Sequence, residues 1–123
     1  GTGGAGTYRG GLGQRIEVGS RLGEDMQLSA AAFERLNAGP AGRADGQDGA
    51  PGRVEITDGT VIADKGLYRV PAGERLILRT PGGGGYGPPE GRAPDAQARD
   101  AAHGLTTEDG RPKPETPNGR ETP

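Results

Sequence analysis

Apolar and polar residues alternate in several short stretches of this chain, and each alternation predicts a strand. Ile16 and Val18 fall on one side of Gln14-Arg15-Ile16-Glu17-Val18, with Arg15 and Glu17 on the other, the period-two pattern of a half-buried strand. Val54 and Ile56 alternate with Glu55 and Thr57, Asp58-Gly59 follows, and Thr60-Val61-Ile62 returns, which predicts a hairpin with a type I′ turn. Leu67, Tyr68 and Val70 lead into the turn signal Pro71-Ala72-Gly73-Glu74. In Arg75-Leu76-Ile77-Leu78-Arg79-Thr80, Leu76 and Leu78 face one side and Ile77 the other, as in a strand covered on both faces.

Met26 to Leu36 carries two signals. Met26 and Leu28 alternate as in a strand, whereas Ala30-Ala31-Ala32-Phe33-Glu34-Arg35-Leu36 has high helix propensity. Residues 37–52 read as an extended surface loop, punctuated by Gly39-Pro40, Gly42, Gly46, Gly49 and Pro51-Gly52. Near the end, Pro94-Asp95 can start a short helix through Arg99, with Asp95 as its cap and Gly104 as its stop. From Gly110 onward, Pro recurs without apolar periodicity, so residues 110–123 are expected to form a flexible tail behind a module of residues 1–109.

Composition makes the predicted core thin. Of 123 residues, 29% are hydrophobic and 3% aromatic, while 26 are glycine and 11 proline, so a small β module packed on a larger partner is expected. The net charge of −2 comes without a basic run or an aromatic series, which argues against nucleic-acid binding. No apolar run reaches membrane-spanning length, so no membrane association is expected. The lack of cysteine rules out thiolate metal sites and internal disulfides and is compatible with a cytoplasmic compartment. The chain opens at Gly1 rather than methionine, which leaves room for an upstream portion.

The densest candidate chemistry is Pro81-Gly82-Gly83-Gly84-Gly85-Tyr86-Gly87. Four glycines give the backbone access to positive φ and to close approach. They can serve as a tight structural crossing, as a loop shaping a neighbour's active site, or as an anion-binding nest. The run lacks the Lys-Ser/Thr ending of a Walker loop, and Pro88-Pro89 follows it instead of a helix signal. Tyr86 is its one large side chain and a candidate anchor in a pocket. Gly82, Gly83, Gly84, Gly85, Tyr86 and Arg9 are therefore the candidate substrate or partner contacts, Arg9 because a guanidinium beside glycine-rich backbone can grip a carboxylate. Arg15 and Glu17 read as a surface pair. The sole histidine, His103, reads as a surface or capping residue, and Asp95 and Asp100 as a solvated helix face. No catalytic or metal-ligating set is predicted within the chain.

Three segments in order, Gly3-Gly4-Ala5-Gly6-Thr7-Tyr8-Arg9-Gly10-Gly11-Leu12-Gly13, Gly49-Ala50-Pro51-Gly52-Arg53 and Thr80-Pro81-Gly82-Gly83-Gly84-Gly85-Tyr86-Gly87, resemble the C-terminal region of the hydantoinase B/oxoprolinase family. The similarity covers about residues 3–109, including Asp95 and the Arg99-Asp100 pair before Gly104-Leu105. The resemblance implies part of an ATP-dependent enzyme that opens cyclic amides such as hydantoins or 5-oxoproline. Its alternatives are a subunit of an ATP-dependent ketone carboxylase, such as an acetone or acetophenone carboxylase, and a noncatalytic β-rich docking scaffold. It further implies two partners: the remaining hydantoinase B-like portion and a hydantoinase A-like subunit that handles ATP and Mg. A divalent metal would belong to the remaining B-like portion, with no cofactor in this chain. The family pattern also favours strand followed by loop over Met26 to Leu36, hence a mainly β module with a short C-terminal helix. This chain has Pro88 where the family often has an aspartate.

Overall fold

Arg75–Arg79 forms the centre of the larger sheet in the computed structural model, which describes residues 1–31 and 33–106. Its neighbours, both antiparallel, are β1 (Arg15–Gly19) and β3 (Arg53–Ile56), so with β2 (Met26–Ser29) and β4 (Leu67–Val70) the centre strand is β5 and the order is β1-β5-β3. The second sheet is the antiparallel pair β2-β4, with Met26 opposite Val70 and Leu28 opposite Tyr68. One helix, α1 (Pro94–Ala102), follows a single 3₁₀ turn at Pro89–Gly91. Among the described residues the fold is thus mainly β with one short helix, as expected.

Register explains which side of each strand is buried. Ile16 lies opposite Leu78, and Leu78 opposite Val54; Val18 lies opposite Leu76, and Leu76 opposite Ile56. Cross-strand partners share a face, so these six side chains form two apolar rows. The opposite face holds Arg15, Arg79 and Arg53 in one row and Glu17, Ile77 and Glu55 in the next. Arginines directly opposite one another repel, and the glutamates one row away offset this. Glu55 accepts from both Arg53 and Arg79, and Glu17 pairs with Arg15 and Arg75. The expected Arg15–Glu17 surface pair is therefore one part of a larger grid.

The side-chain core consists of Ala30, Val54, Ile56, Ile62, Val70 and Leu76, with Met26, Leu28, Phe33, Leu36, Tyr68 and Leu78 packed around it. It joins the inner face of the larger sheet to the β2-β4 pair and contains no large aromatic at its centre. That fits the low apolar content.

Several local expectations need correction. The return arm after β3 is not a strand: Val61 makes an isolated bridge to Glu55, and Ile62 N–H donates to Val54 C=O. The turn has three loop residues, closed by Gly59 N–H on Ile56 C=O and by Ile56 N–H on Thr60 C=O. Only Gly59, at φ 98°, has positive φ, whereas type I′ needs it at both central residues, so this turn is of the three-residue kind with a left-handed glycine. Met26 to Leu36 forms β2 and then turns, because the apolar alternation of Met26 and Leu28 finds β4 as a partner and overrides alanine propensity. Pro71 to Glu74 is a turn as read, with Gly73 at φ 81°.

The helix runs beyond Arg99 to Ala102, and Asp95 does not cap it. Ala93 is the N-cap and offers no side-chain hydrogen bond, Pro94 supplies the preset φ of a first helical residue, and Asp95 in the first turn pairs with Arg99 at 3.0 Å. His103 is the C-cap. Gly104, at φ 70°, stops the helix as predicted: its N–H donates to Ala101 C=O and Leu105 N–H donates to Asp100 C=O, the paired bonds of a Schellman ending. The expected tail, residues 110–123, lies outside the described residues.

Candidate functional site

The three glycine-rich stretches come together as one bundle of extended segments outside both sheets. Gly82–Gly85 runs through it. Gly82 N–H donates to Ala50 C=O and Gly85 N–H to Gln47 C=O, while Gly83 N–H donates to Gly11 C=O and Gly83 C=O accepts from Gly4 N–H. The next layer repeats the pattern, with Gln47 N–H on Ala5 C=O and Ala50 N–H on Thr2 C=O. Partners recur every third residue on each segment, the repeat of an extended polyproline-II-type helix, which has no internal hydrogen bonds and sends its N–H and C=O groups outward. Each segment therefore bonds to several neighbours rather than to two, as a strand would.

Such a bundle demands glycine for space. Where a Cβ would stand on Gly82, Gly84, Gly85, Gly46, Gly49, Gly4 and Gly10, a neighbouring backbone carbonyl oxygen lies well under 3 Å away. The Cα hydrogens face those oxygens, and weak Cα–H···O contacts add to the N–H bonds. None of Gly82 to Gly85 has left-handed φ. Positive φ is thus not why these glycines are required; close approach is. Residues 37–52 are an extended, largely exposed loop as read, and the loop also bonds into the bundle through Gln47, Gly49 and Ala50. Within it only Gly49 and Gly52 are buried, Gly49 N–H donating to Pro40 C=O and Gly52 N–H to Arg35 C=O.

At the end of the bundle stand two tyrosines. Tyr8 and Tyr86 exchange both backbone hydrogen bonds, each at 2.9 Å, and their ring centroids lie 6.3 Å apart at 44°. Arg43 brackets Tyr86 from the other side, its N–H on Gly85 C=O and its C=O accepting from Gly87 N–H. The backbone is satisfied but the rings are not covered: Tyr8 is 68% and Tyr86 58% exposed. Immediately after Arg43, Ala44 (φ 48°) and Asp45 (φ 66°) form a turn closed by Gly46 N–H on Arg43 C=O. Two successive non-glycine residues in the left-handed region cost about 1–3 kcal/mol each, and such strain clusters at functional surfaces.

Arg9 has a different setting. Its Nε donates to Asp100 Oδ2 at 3.0 Å and its Nη1 to Gly3 C=O at 3.4 Å. Arg92 grips the same carboxylate with two bonds, at 2.7 and 2.8 Å, and donates to Thr7 C=O at 3.1 Å. Asp100, only 5% exposed, is thus the knot that ties α1 to the glycine bundle, and not part of a solvated helix face as its spacing suggested. Hydrogen bonds from Arg92 hold its carboxyl below the ordinary carboxylate range, against the upward push of burial and with further help from Arg9. Glu55 is lowered in the same way, chiefly by Arg79.

Of the sequence candidates, then, the structure gathers Gly82 to Gly85 and Tyr86 into one place with Tyr8 and Arg43, and assigns the Arg9 guanidinium to Asp100. Three of the four glycine amides donate to the chain's own carbonyls, so they do not form an open nest. Among the described residues no three His, Asp or Glu side chains converge as a metal cage. Reading along the chain missed Arg43, the strained Ala44-Asp45 turn and the burial of Asp100. The bundle itself had a visible signal, glycine at every third position in Gly10/Gly13, Gly39/Gly42, Gly46/Gly49/Gly52 and Gly82/Gly85.

Residues 1–89 match the family described as Hydantoinase B/oxoprolinase. The chain belongs to the hydantoinase B/oxoprolinase family. An uncharacterized protein of Methanocaldococcus jannaschii is 41% identical over 91 residues, covering 72% of this chain and 16% of that protein. The 5-oxoprolinase of Saccharomyces cerevisiae is 39% identical over 93 residues, covering 71% of this chain and 7% of that one. Among solved structures, the ATP-dependent caprolactamase from Pseudomonas jessenii superimposes with a TM-score of 0.68 at 28% identity, over 94% of this chain and 22% of its own. The chain thus spans less than a quarter of the length of each relative. Its bundle and sheets are a piece of hydantoinase/oxoprolinase-type architecture.

Proposed function

We propose that this chain is the C-terminal portion or a small subunit of an ATP-dependent cyclic-amide hydrolase of the hydantoinase/oxoprolinase type, where it supports assembly or the shape of the active site. The observation that carries this is the caprolactamase likeness, which takes in nearly the whole module yet less than a quarter of that enzyme. Both named relatives with an activity in their names, a 5-oxoprolinase and a caprolactamase, carry the name of a cyclic amide, which favours amide opening over ketone carboxylation.

In this reading ATP transfers its γ-phosphoryl group to the amide oxygen on a hydantoinase A-like partner, releasing ADP; water then attacks the activated carbonyl carbon, the ring C–N bond breaks with a proton going to the nitrogen, and inorganic phosphate leaves. ATP and Mg belong to that partner, and any divalent metal to the remaining B-like portion. This chain contributes a rigid backbone bundle whose Tyr8, Arg43 and Tyr86 meet the rest of the assembly. Paired aromatics flanked by a guanidinium are the side chains most enriched where protein surfaces bind.

Reconstitution tests the division of labour. The complex of this chain with its B-like and A-like partners should open 5-oxoproline or hydantoin with ATP and without bicarbonate, while the purified chain should not. Rapid ATP-dependent opening by the chain alone would overturn the reading, and strict bicarbonate dependence with ketone consumption would replace it with a carboxylase.

A further inference from the structure

The inner face of the larger sheet is closed on one side and open on the other. At β3 the arm carrying Ile62 lies over the edge, bonded through Ile62 N–H to Val54 C=O, and Val54 and Ile56 are buried. Across β5 the same two apolar rows continue through Leu78 and Leu76 to Ile16 and Val18 on β1, each 42% exposed. β1 is an edge strand, and its apolar side is an unfinished continuation of the core rather than an isolated surface residue of the ordinary kind. Leu22 and Leu67 are more exposed but stand singly, outside these rows.

We infer that the apolar side of β1, carried by Ile16 and Val18, packs against the remaining portion of the hydantoinase B-like polypeptide. The inference rests on the assembly reading above and names the surface it uses. Its support is the amount of chain that has to meet this module: in the caprolactamase the matching region is 22% of one polypeptide, so most of that chain lies beyond it. An apolar row that leaves the core uncovered at a sheet edge is where further layers of a larger domain add burial.

The test grafts this chain into the caprolactamase in place of its matching region, and compares the graft with the isolated chain. Ile16→Thr/Val18→Thr keeps β-branching while removing apolar surface, so strand preference is held constant; Leu67→Thr is the control. The double variant should lower the melting temperature of the graft by several degrees more than that of the isolated chain, where both side chains are already 42% exposed, and Leu67→Thr should move neither. Equal melting of the double-variant and parent grafts would overturn the inference while the assembly reading stands. Failure of the parent graft to fold would reject the assembly reading and this inference with it. A shift of the isolated chain to a dimer that the double variant abolishes would make a second copy the occupant. Faster amide exchange at Ile16 and Val18 after deletion of residues 107–123 would make that segment the occupant. Either result refutes the proposal.

Discussion

Around Ile56 and Val70 the interior is made of side chains, and around Gly82 to Gly85 it is made of backbone. In the first region neighbours touch through methyl groups and stability comes from apolar burial. In the second, carbonyl oxygens occupy the positions side chains would need, and stability comes from N–H···O=C bonds in several directions. The difference is one of sign. A methyl removed from the sheet core leaves a void, while a methyl added to the bundle has nowhere to go.

The sharpest way to break this contrast is Gly85→Ala. The new Cβ meets the Ala5 carbonyl, and any shift also disturbs Gly85 N–H on Gln47 and Arg43 N–H on Gly85. Overpacking against backbone together with two loosened hydrogen bonds predicts a loss of about 4 kcal/mol. Chemical denaturation checks it, and a loss under about 1 kcal/mol would remove the space argument. Ile56→Ala in the other region should cost about 3 kcal/mol by the usual transfer and cavity terms. The same assay reads it; a near-neutral result would mean that the thin core contributes little.

At the junction of the bundle with α1 sits Asp100. Asp100→Asn keeps the shape but leaves two arginines facing a neutral amide, with an expected loss of about 2 kcal/mol at neutral pH. Because the carboxyl is held below its unfolded value, its stabilisation is full above about pH 4 and fades as pH falls through the lowered folded value. The parent should therefore lose, on acidification below about pH 4, an increment of stability that the Asn variant lacks. Parallel acid titrations of both proteins would expose a mistaken sign. The smallest effect belongs to Gly11→Ala, where no atom beyond the adjoining residues lies within 4 Å of the added carbon and φ is not left-handed. It should be neutral or stabilising by up to about 0.5 kcal/mol, through the less flexible unfolded chain; clear destabilisation in thermal melts would show that the bundle is tighter at its rim than described.

The sheet region was legible in the sequence because its physics is periodic in side chains. Alternation at Ile16/Val18, Val54/Ile56 and Leu76/Leu78 predicts the strands, and Gly104 predicts the end of the helix. The bundle was legible only as glycine abundance, since propensity and hydropathy describe side chains and these segments are packed without them. Asp100 eluded the sequence for a related reason. Its pairing depends on Arg9, 91 positions away, being brought beside α1 by glycine segments whose association no local pattern encodes. Tyr86 stood out as the single large residue of its run, whereas Arg43 and the Ala44-Asp45 turn gain meaning only from the chain that crosses beside them.

Whether backbone bonding holds the glycine region is tested most directly by native-state amide hydrogen exchange at Gly82, Gly83 and Gly85. Their N–H groups donate to the Ala50, Gly11 and Gln47 carbonyls respectively, so they should be protected to the same degree as the amides of Leu76 to Leu78 in β5. Exchange of these three glycines at the rate of a free peptide, with β5 still protected, would contradict a backbone-packed bundle.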